Sequence, residues 1–219
     1  TGLRAQTAED KATLAVAAAR DQVDETDLDA MFRRVIDKTF NCVSIDTDTS
    51  TSDTAIVMAS GAAGAVDLPA LESAMHEVAL SLTKQVARDG EGAEKLIEVC
   101  VDQARDSHQA KIIAKSIVNS PLVKTAVHGA DPNWGRVAMA IGKCHEFTDV
   151  SEDRVIIRFG SQEVFPTPLG EGDLRTLSDY MKGTDVRIHV SLGTGIASAT
   201  VWGCDLTDGY VRINADYTT

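Results

Sequence analysis

The sequence predicts a layered domain of α/β (α+β) class. Three observations predict it. Apolar residues recur at helical spacing, as in Leu28, Met31, Phe32, Val35 and Ile36. Short apolar or alternating runs such as LIEVCV and VRIHVSL have the two-residue period of strands. Helical and strand-like stretches follow one another along the chain with no repeat and no low-complexity linker. Residues 1–219 therefore read as one unit without an internal boundary.

The elements follow in order. Thr26 is the expected N-cap of a first helix, with Asp27 and Asp29 in its first turn, where acids favour the helix dipole. A turn-rich stretch, DTDTSTSDT (46–54), leads to a buried strand, AIVMAS. Asp67 and Pro69 open a second helix with an apolar stripe of Leu71, Met75, Val78, Leu82 and Val86, and Asp89-Gly90 stops it. LIEVCV (96–101) is a strand. A third helix covers 106–118 and ends before Pro121, because the residue preceding proline disfavours helix. ADPNWGR (130–136) is a tight turn into a short helix carrying Val137, Met139 and Ile141. VIIRF (155–159) is a strand, and 172–182 a helix. Val186, Ile188, Val190 and Leu192 alternate with polar residues, as in a half-buried strand. LGTGIA (192–197) then reads as a hairpin turn that lays SATVWGCD alongside. The C-terminus, YVRINADYTT, is polar and short.

Composition narrows the function. The net charge of −12 argues against nucleic acid, whose affinity rests on cationic side chains, and against an anionic membrane surface. No apolar run is long enough to cross a bilayer, and nothing reads as a secretory signal. Cys42, Cys100, Cys144 and Cys204 are far apart and form no CxxC pair, so they read as buried thiols in a reducing cytoplasm. The histidines show no metal-binding spacing, and no metal is expected.

Three stretches hold chemistry-bearing residues. DTDTSTSDT carries Asp46, Asp48 and Asp53 but lacks the glycine and distal glutamate of a calcium loop, so it reads as a turn held by side-chain bonds to backbone. DGEGAEK (89–95) sets Glu91 between two glycines, which let backbone approach a ligand closely. The residues alone favour a plainer reading, a helix C-cap followed by an exposed glutamate. The chain also opens on a threonine, Thr1. An N-terminal threonine holds a hydroxyl and an α-amine of pKa roughly 7.7–8.0 on one residue, so the amine can take the hydroxyl proton near neutral pH.

Four blocks together resemble a known family: FNCVSIDTDTSTSDTAIVMASG, DGEGAEKLIEV, NSPLVKTAVHGADPNWGRVAMAIGK and VWGCDLTDGYVRINADYTT. They resemble the ornithine acetyltransferase, or glutamate N-acetyltransferase, family from about residue 27 to Thr219. The wording SIDTDTSTSDTA is similar to the variant found with clavulanic acid biosynthesis genes. The resemblance implies an N-terminal-nucleophile fold, made when a precursor cleaves itself at an Ala-Thr bond into α and β chains. This chain then corresponds to the β chain, with the α chain as partner and αβ units pairing further into a heterotetramer. It also implies a ping-pong reaction in arginine biosynthesis. The threonine takes the acetyl group of N-acetylornithine, and glutamate accepts it. Some members use acetyl-CoA as donor. No bound cofactor is implied. The oxyanion donors belong to the α chain.

Carried over residue by residue, the glutamate of the family's DGEG motif is Glu91, and the family's C-terminal asparagine and hydroxyl residue are Asn214 and Thr219. These three, with the nucleophile, are the expected substrate-binding residues. Asp131, Asn133 and Arg136 of ADPNWGR are expected to be structural. The nucleophile is expected at Thr1, the residue a mature β chain would open on. Thr13 is the explicit rival, because Ala12-Thr13 followed by LAVAAARDQ imitates the family's junction while the stretch after Thr1 is polar. Two other classes remain on the sequence: an N-terminal-nucleophile amidohydrolase, in which water captures the acyl group, and a non-catalytic homologue, favoured by the unusual start.

Overall fold

A computed structural model describes residues 17–49 and 52–216. The largest element is a five-stranded mixed sheet. Its strands are β3 (Leu96–Ala104), β4 (Ile156–Phe159), β5 (Gln162–Phe165), β6 (Asp185–Ser191) and β7 (Ala197–Cys204), in the order β5-β4-β6-β3-β7. β3 runs parallel to β6 and antiparallel to β7, and β4 is antiparallel to both β5 and β6. A separate pair of parallel strands, β1 (Ala17–Gln22) and β2 (Val57–Ala65), makes a second, smaller sheet.

Period two sorts the large sheet into a dry face and a wetter one. Ile97, Val99, Val101, Ile188, Val190 and Val201 are buried. They pack with α3 (Ser107–Val118), α4 (Pro121–His128), α5 (Trp134–Gly142) and α6 (Glu171–Met181) in one apolar cluster. The other face carries Glu98, Cys100, Asp102, Arg187 and His189. There α2 (Leu68–Arg88) reaches across, with Lys84 Nζ 3.2 Å from Glu98 and 5.8 Å from the centre of the Trp202 ring. A small second cluster joins α2 to α1 (Glu25–Lys38) through Val35, Met75 and Ala79, with Phe32, Phe40, Val57 and Leu71 beside them.

The expected class and most expected elements are present, with several corrections. The first helix is capped by Asp24, whose carboxylate accepts from the Thr26 amide at 2.8 Å, so Thr26 lies inside the helix. Aspartate caps as well as threonine and stands two residues earlier. On α2 the buried line is Met75, Ala79, Thr83 and Ala87, while Val78 is 46% exposed; smaller residues fit closer against the neighbouring strands and α1. AIVMAS is a strand, but Ile56 and Met58 are more than half exposed, because this strand pairs with β1 outside the main sheet.

LGTGIA is not a hairpin turn. β6 and β7 both pair with β3, which lies between them, so the loop must step across the end of β3. It does so on Gln103, whose carbonyl accepts the amides of Thr194 (2.8 Å) and Gly195 (2.9 Å). A side chain at Gly195 would sit 2.5 Å from the Ala104 carbonyl, so only glycine lets the strands cross this closely. Finally, Pro121 ends one helix by opening another: it starts α4, with Ser120 as its cap. The polar C-terminus also forms a helix, α7 (Asp208–Asp216). The free thiols Cys42, Cys144 and Cys204 are buried as expected, whereas Cys100 is half-buried on the wetter sheet face.

Candidate active site

The site lies where the α2–β3 turn meets the β7–α7 turn. α2 stops at Asp89, whose amide donates back to Gln85 and Val86. A tight turn follows, closed by the Ala93 amide on the Gly90 carbonyl at 2.9 Å. Gly92 has φ +65°, and a Cβ there would lie 2.4 Å from the Tyr210 amide nitrogen. The turn therefore rests against the backbone at the start of α7, and the DGEG wording is the sequence trace of that contact. Glu91 stands exposed at its tip.

Two expected site residues meet here. Asn214, from the second turn of α7, donates its amide to Glu91 Oε2 at 2.6 Å and to the Tyr210 carbonyl at 3.0 Å. The residues are 123 positions apart in sequence. Thr1, Thr13 and Thr219 lie outside the described residues.

Several residues that sequence reasoning did not single out hold this corner. Asp205 follows β7 and its side chain is fully buried. One carboxylate oxygen accepts the amides of Glu94 and Lys95, both at 2.9 Å. The other lies 3.0 Å from His128 Nδ1. Lys95 is buried and donates to the carbonyls of Val127, His128 and Met181, gathering the ends of α4 and α6. Lys124, also buried, donates to the Cys204 carbonyl at 2.6 Å. Burial pushes the Lys124 ammonium pKa down and the Cys204 thiol up. Thr207 donates its hydroxyl to the Gly92 carbonyl at 2.7 Å and accepts the Tyr210 amide at 3.3 Å, as an N-cap does. The Thr207-Asp208 pair is a legible helix-start signal; nothing in the spacing marked Asp205, His128 or the two lysines.

The turn at 46–48 closes the corner. Asp46 accepts the Asp48 amide at 3.0 Å, the side-chain-to-backbone turn expected there. Its other oxygen takes the Tyr210 hydroxyl at 3.3 Å. Burial raises the Tyr210 pKa first, and the charges of Asp46, Glu91 and Asp48 raise it further, so the local field is negative. Glu94, His128 and Asp205 bring three metal-ligating atoms within 4.8 Å of one another, but hydrogen bonding within the protein already engages Asp205 and His128. In ADPNWGR, Asn133 caps α5, and Arg136 donates to the Leu122 carbonyl at 2.8 Å, a structural role as expected.

A carboxylate and a primary amide side by side, in a negative field, can bind an ammonium group and a neighbouring oxygen of a small amino acid. The fold and this corner thus define a layered α/β protein in which a glutamate and an asparagine meet where the α2–β3 turn packs on α7. The chain belongs to the ArgJ family, whose model matches residues 8–219. It is 56% identical over 217 residues to glutamate N-acetyltransferase Oat2 of Streptomyces clavuligerus, covering 96% of this chain and 55% of that protein. It is 58% identical over 189 residues to the arginine biosynthesis bifunctional protein ArgJ 2 of a Nostoc species, covering 86% of this chain and 49% of that one. The crystal structure of arginine biosynthesis bifunctional protein ArgJ from Bacillus halodurans superimposes with a TM-score of 0.84 at 39% identity, over 91% of this chain and 97% of that chain. The chain spans about half the length of the curated relatives it matches. Among the described residues no helix is long and apolar enough to cross a membrane.

Proposed function

We propose that this chain is the nucleophile-bearing β part of a glutamate N-acetyltransferase (ornithine acetyltransferase). The observation that carries the reading is the 2.6 Å contact between Glu91 and Asn214. It joins the two family site residues that lie within the described structure. The names of the relatives, a glutamate N-acetyltransferase and arginine biosynthesis proteins, support it.

The reaction runs in two halves. A threonine hydroxyl gives its proton to the α-amine of the same residue and attacks the acetyl carbonyl of N-acetylornithine. The amide C–N bond breaks, ornithine leaves with the proton, and an acetyl-threonine ester remains. The amine of glutamate then attacks the ester, takes the acetyl group and returns the proton to the threonine oxygen. Glu91 holds a substrate ammonium or assists its proton transfer, while Asn214 and Thr219 hold the rest of the amino acid. The α chain from the same precursor supplies the oxyanion donors, loss of any one of which typically costs ~10²–10³ in rate. The αβ units pair further, and the enzyme works in the cytoplasm. The SIDTDTSTSDTA wording and the Streptomyces clavuligerus relative support a role beside clavulanate metabolism as well as in arginine biosynthesis.

The nucleophile is Thr1 or Thr13. The family match over residues 8–219 includes Thr13 and not Thr1, and β1 follows Thr13 closely, at Ala17. Both facts support Thr13. Intact mass of the complete protein, before and after N-acetylornithine, tests the proposal. The expected result is a β chain beginning at one of these threonines and gaining one acetyl group, which later appears on glutamate. An uncleaved chain without an adduct would overturn the reading, and release of free acetate in place of acetylglutamate would make the protein an amidohydrolase.

A further inference from the structure

We propose that Thr207 is a positioning residue that sets the spacing between Glu91 and Asn214. The inference rests on the reading that Glu91 engages substrate. Thr207 is buried at the junction of β7 and α7, and its hydroxyl is used in both directions. It gives its single proton to the Gly92 carbonyl at 2.7 Å, so it can only accept from the Tyr210 amide, 3.3 Å away. The first bond holds the turn that carries Glu91. The second holds the first turn of the helix that carries Asn214. One oxygen thus ties together the two pieces of backbone whose side chains meet at 2.6 Å.

The surroundings leave little slack. A Cβ at Gly92 would meet the backbone of Gly209 and Tyr210 at 2.4–2.5 Å, so turn and helix start are in direct contact. A Cβ at Gly209 would fall 3.0 Å from the Thr207 oxygen. On the far side of the turn, buried Asp205 fixes the Glu94 and Lys95 amides. The turn is therefore clamped at Gly92 and at Glu94–Lys95, and Thr207 is the clamp next to Glu91. Without the hydroxyl, the Gly92 carbonyl and the Tyr210 amide each lose a partner, and turn and helix can drift apart. Displacements of about 1 Å at a reacting site cost on the order of 10²-fold in rate.

The test uses the complete, self-processed enzyme, with steady-state kinetics on N-acetylornithine and glutamate. Thr207→Val removes the hydroxyl and keeps the shape. It is measured in the native background and in Glu91→Gln. Thr207→Val is expected to lower kcat/KM about 10–100-fold in the native background. In Glu91→Gln it should cost less than about 3-fold more, because residues acting as a unit are not additive. Thr207→Ser, which restores the hydroxyl, should recover activity to within about 3-fold of the native enzyme. An equal fold-loss in both backgrounds, or no loss in the native one, would overturn the positioning role. A Glu91→Gln enzyme with native kinetics would instead overturn the substrate-binding reading of Glu91. Should Thr207→Val fail to fold, Thr207→Cys, whose thiol is a weak donor, carries the same comparison.

Discussion

Gly92 shows how much of the site turns on single residues. It combines a left-handed φ of +65° with backbone pressed against it from α7. An added methyl group meets the Gly209 and Tyr210 main chain, which cannot swing away as a flexible side chain would. Gly92→Ala is therefore expected to destabilise the protein by more than about 2 kcal/mol, since the left-handed conformation alone costs roughly 1–2 kcal/mol. Urea denaturation checks this, and an unchanged midpoint would contradict the close packing of turn on helix. At this scale the sequence was legible where a family wording marked the residue. Glu91 and Asn214 were both named and do meet. Asp205, His128 and Lys95 were not, because a buried ionic group announces itself only through partners that are distant in the chain. Asp205 finds His128 across 77 positions and the Glu94 and Lys95 amides across more than a hundred.

Among the elements, the pairing of β3, β6 and β7 beneath α2 has a measurable electrostatic consequence. Glu98 on β3 accepts the Trp202 indole N–H at 3.0 Å and lies 3.2 Å from Lys84 and 3.3 Å from Arg187. Burial pushes its pKa up, but the indole bond and the two cations outweigh burial and hold the carboxyl below its ordinary value. The folded pKa thus lies below the unfolded one. The stabilisation is fully present above the unfolded value, near pH 4, and is lost as pH falls through the folded pKa. Glu98→Gln should lower stability by about 1.5–3 kcal/mol at pH 7, the range for bonds to a charged group. The gap from the native protein should close on acidification, followed by unfolding curves at pH 7 and in the acid range. A gap independent of pH would show that the carboxylate charge contributes nothing. The strands themselves were readable from alternation, but their order was not. LGTGIA has the glycines of a hairpin, and hairpin and crossover ask the same of local backbone; the β3 edges decide between them.

At the scale of the whole molecule, the described residues form one large core and one small one. The large core is built on the five-stranded sheet and its four covering helices, whereas the small one rests on Val35, Met75 and Ala79. Ile188 is fully buried mid-strand in the first, and Met75 borders an open apolar groove lined by Phe32, Phe40, Val57, Val78 and Leu82. Ile188→Ala should cost about 2–5 kcal/mol, because the surrounding strands cannot collapse into the cavity. Met75→Ala should cost less, since groove residues can move in. Thermal unfolding of the two variants compares them, and equal losses would contradict the division into a rigid and an open cluster.

By itself the sequence determined most of the elements and the family. Local backbone rules act over a few residues: Asp67 caps α2, Asp106 caps α3, Asn133 caps α5, and apolar spacing separates helices from strands. Long ordered blocks did the rest for the family. Only the tertiary structure decided the strand order, the second sheet, which line of α2 is buried, and the corner in which Glu91, Asn214, Thr207 and Asp205 converge. The physical reason is range. Caps and periods are settled by neighbours along the chain, whereas strand partners, buried charges and a turn packed on a helix depend on which distant surfaces fit together.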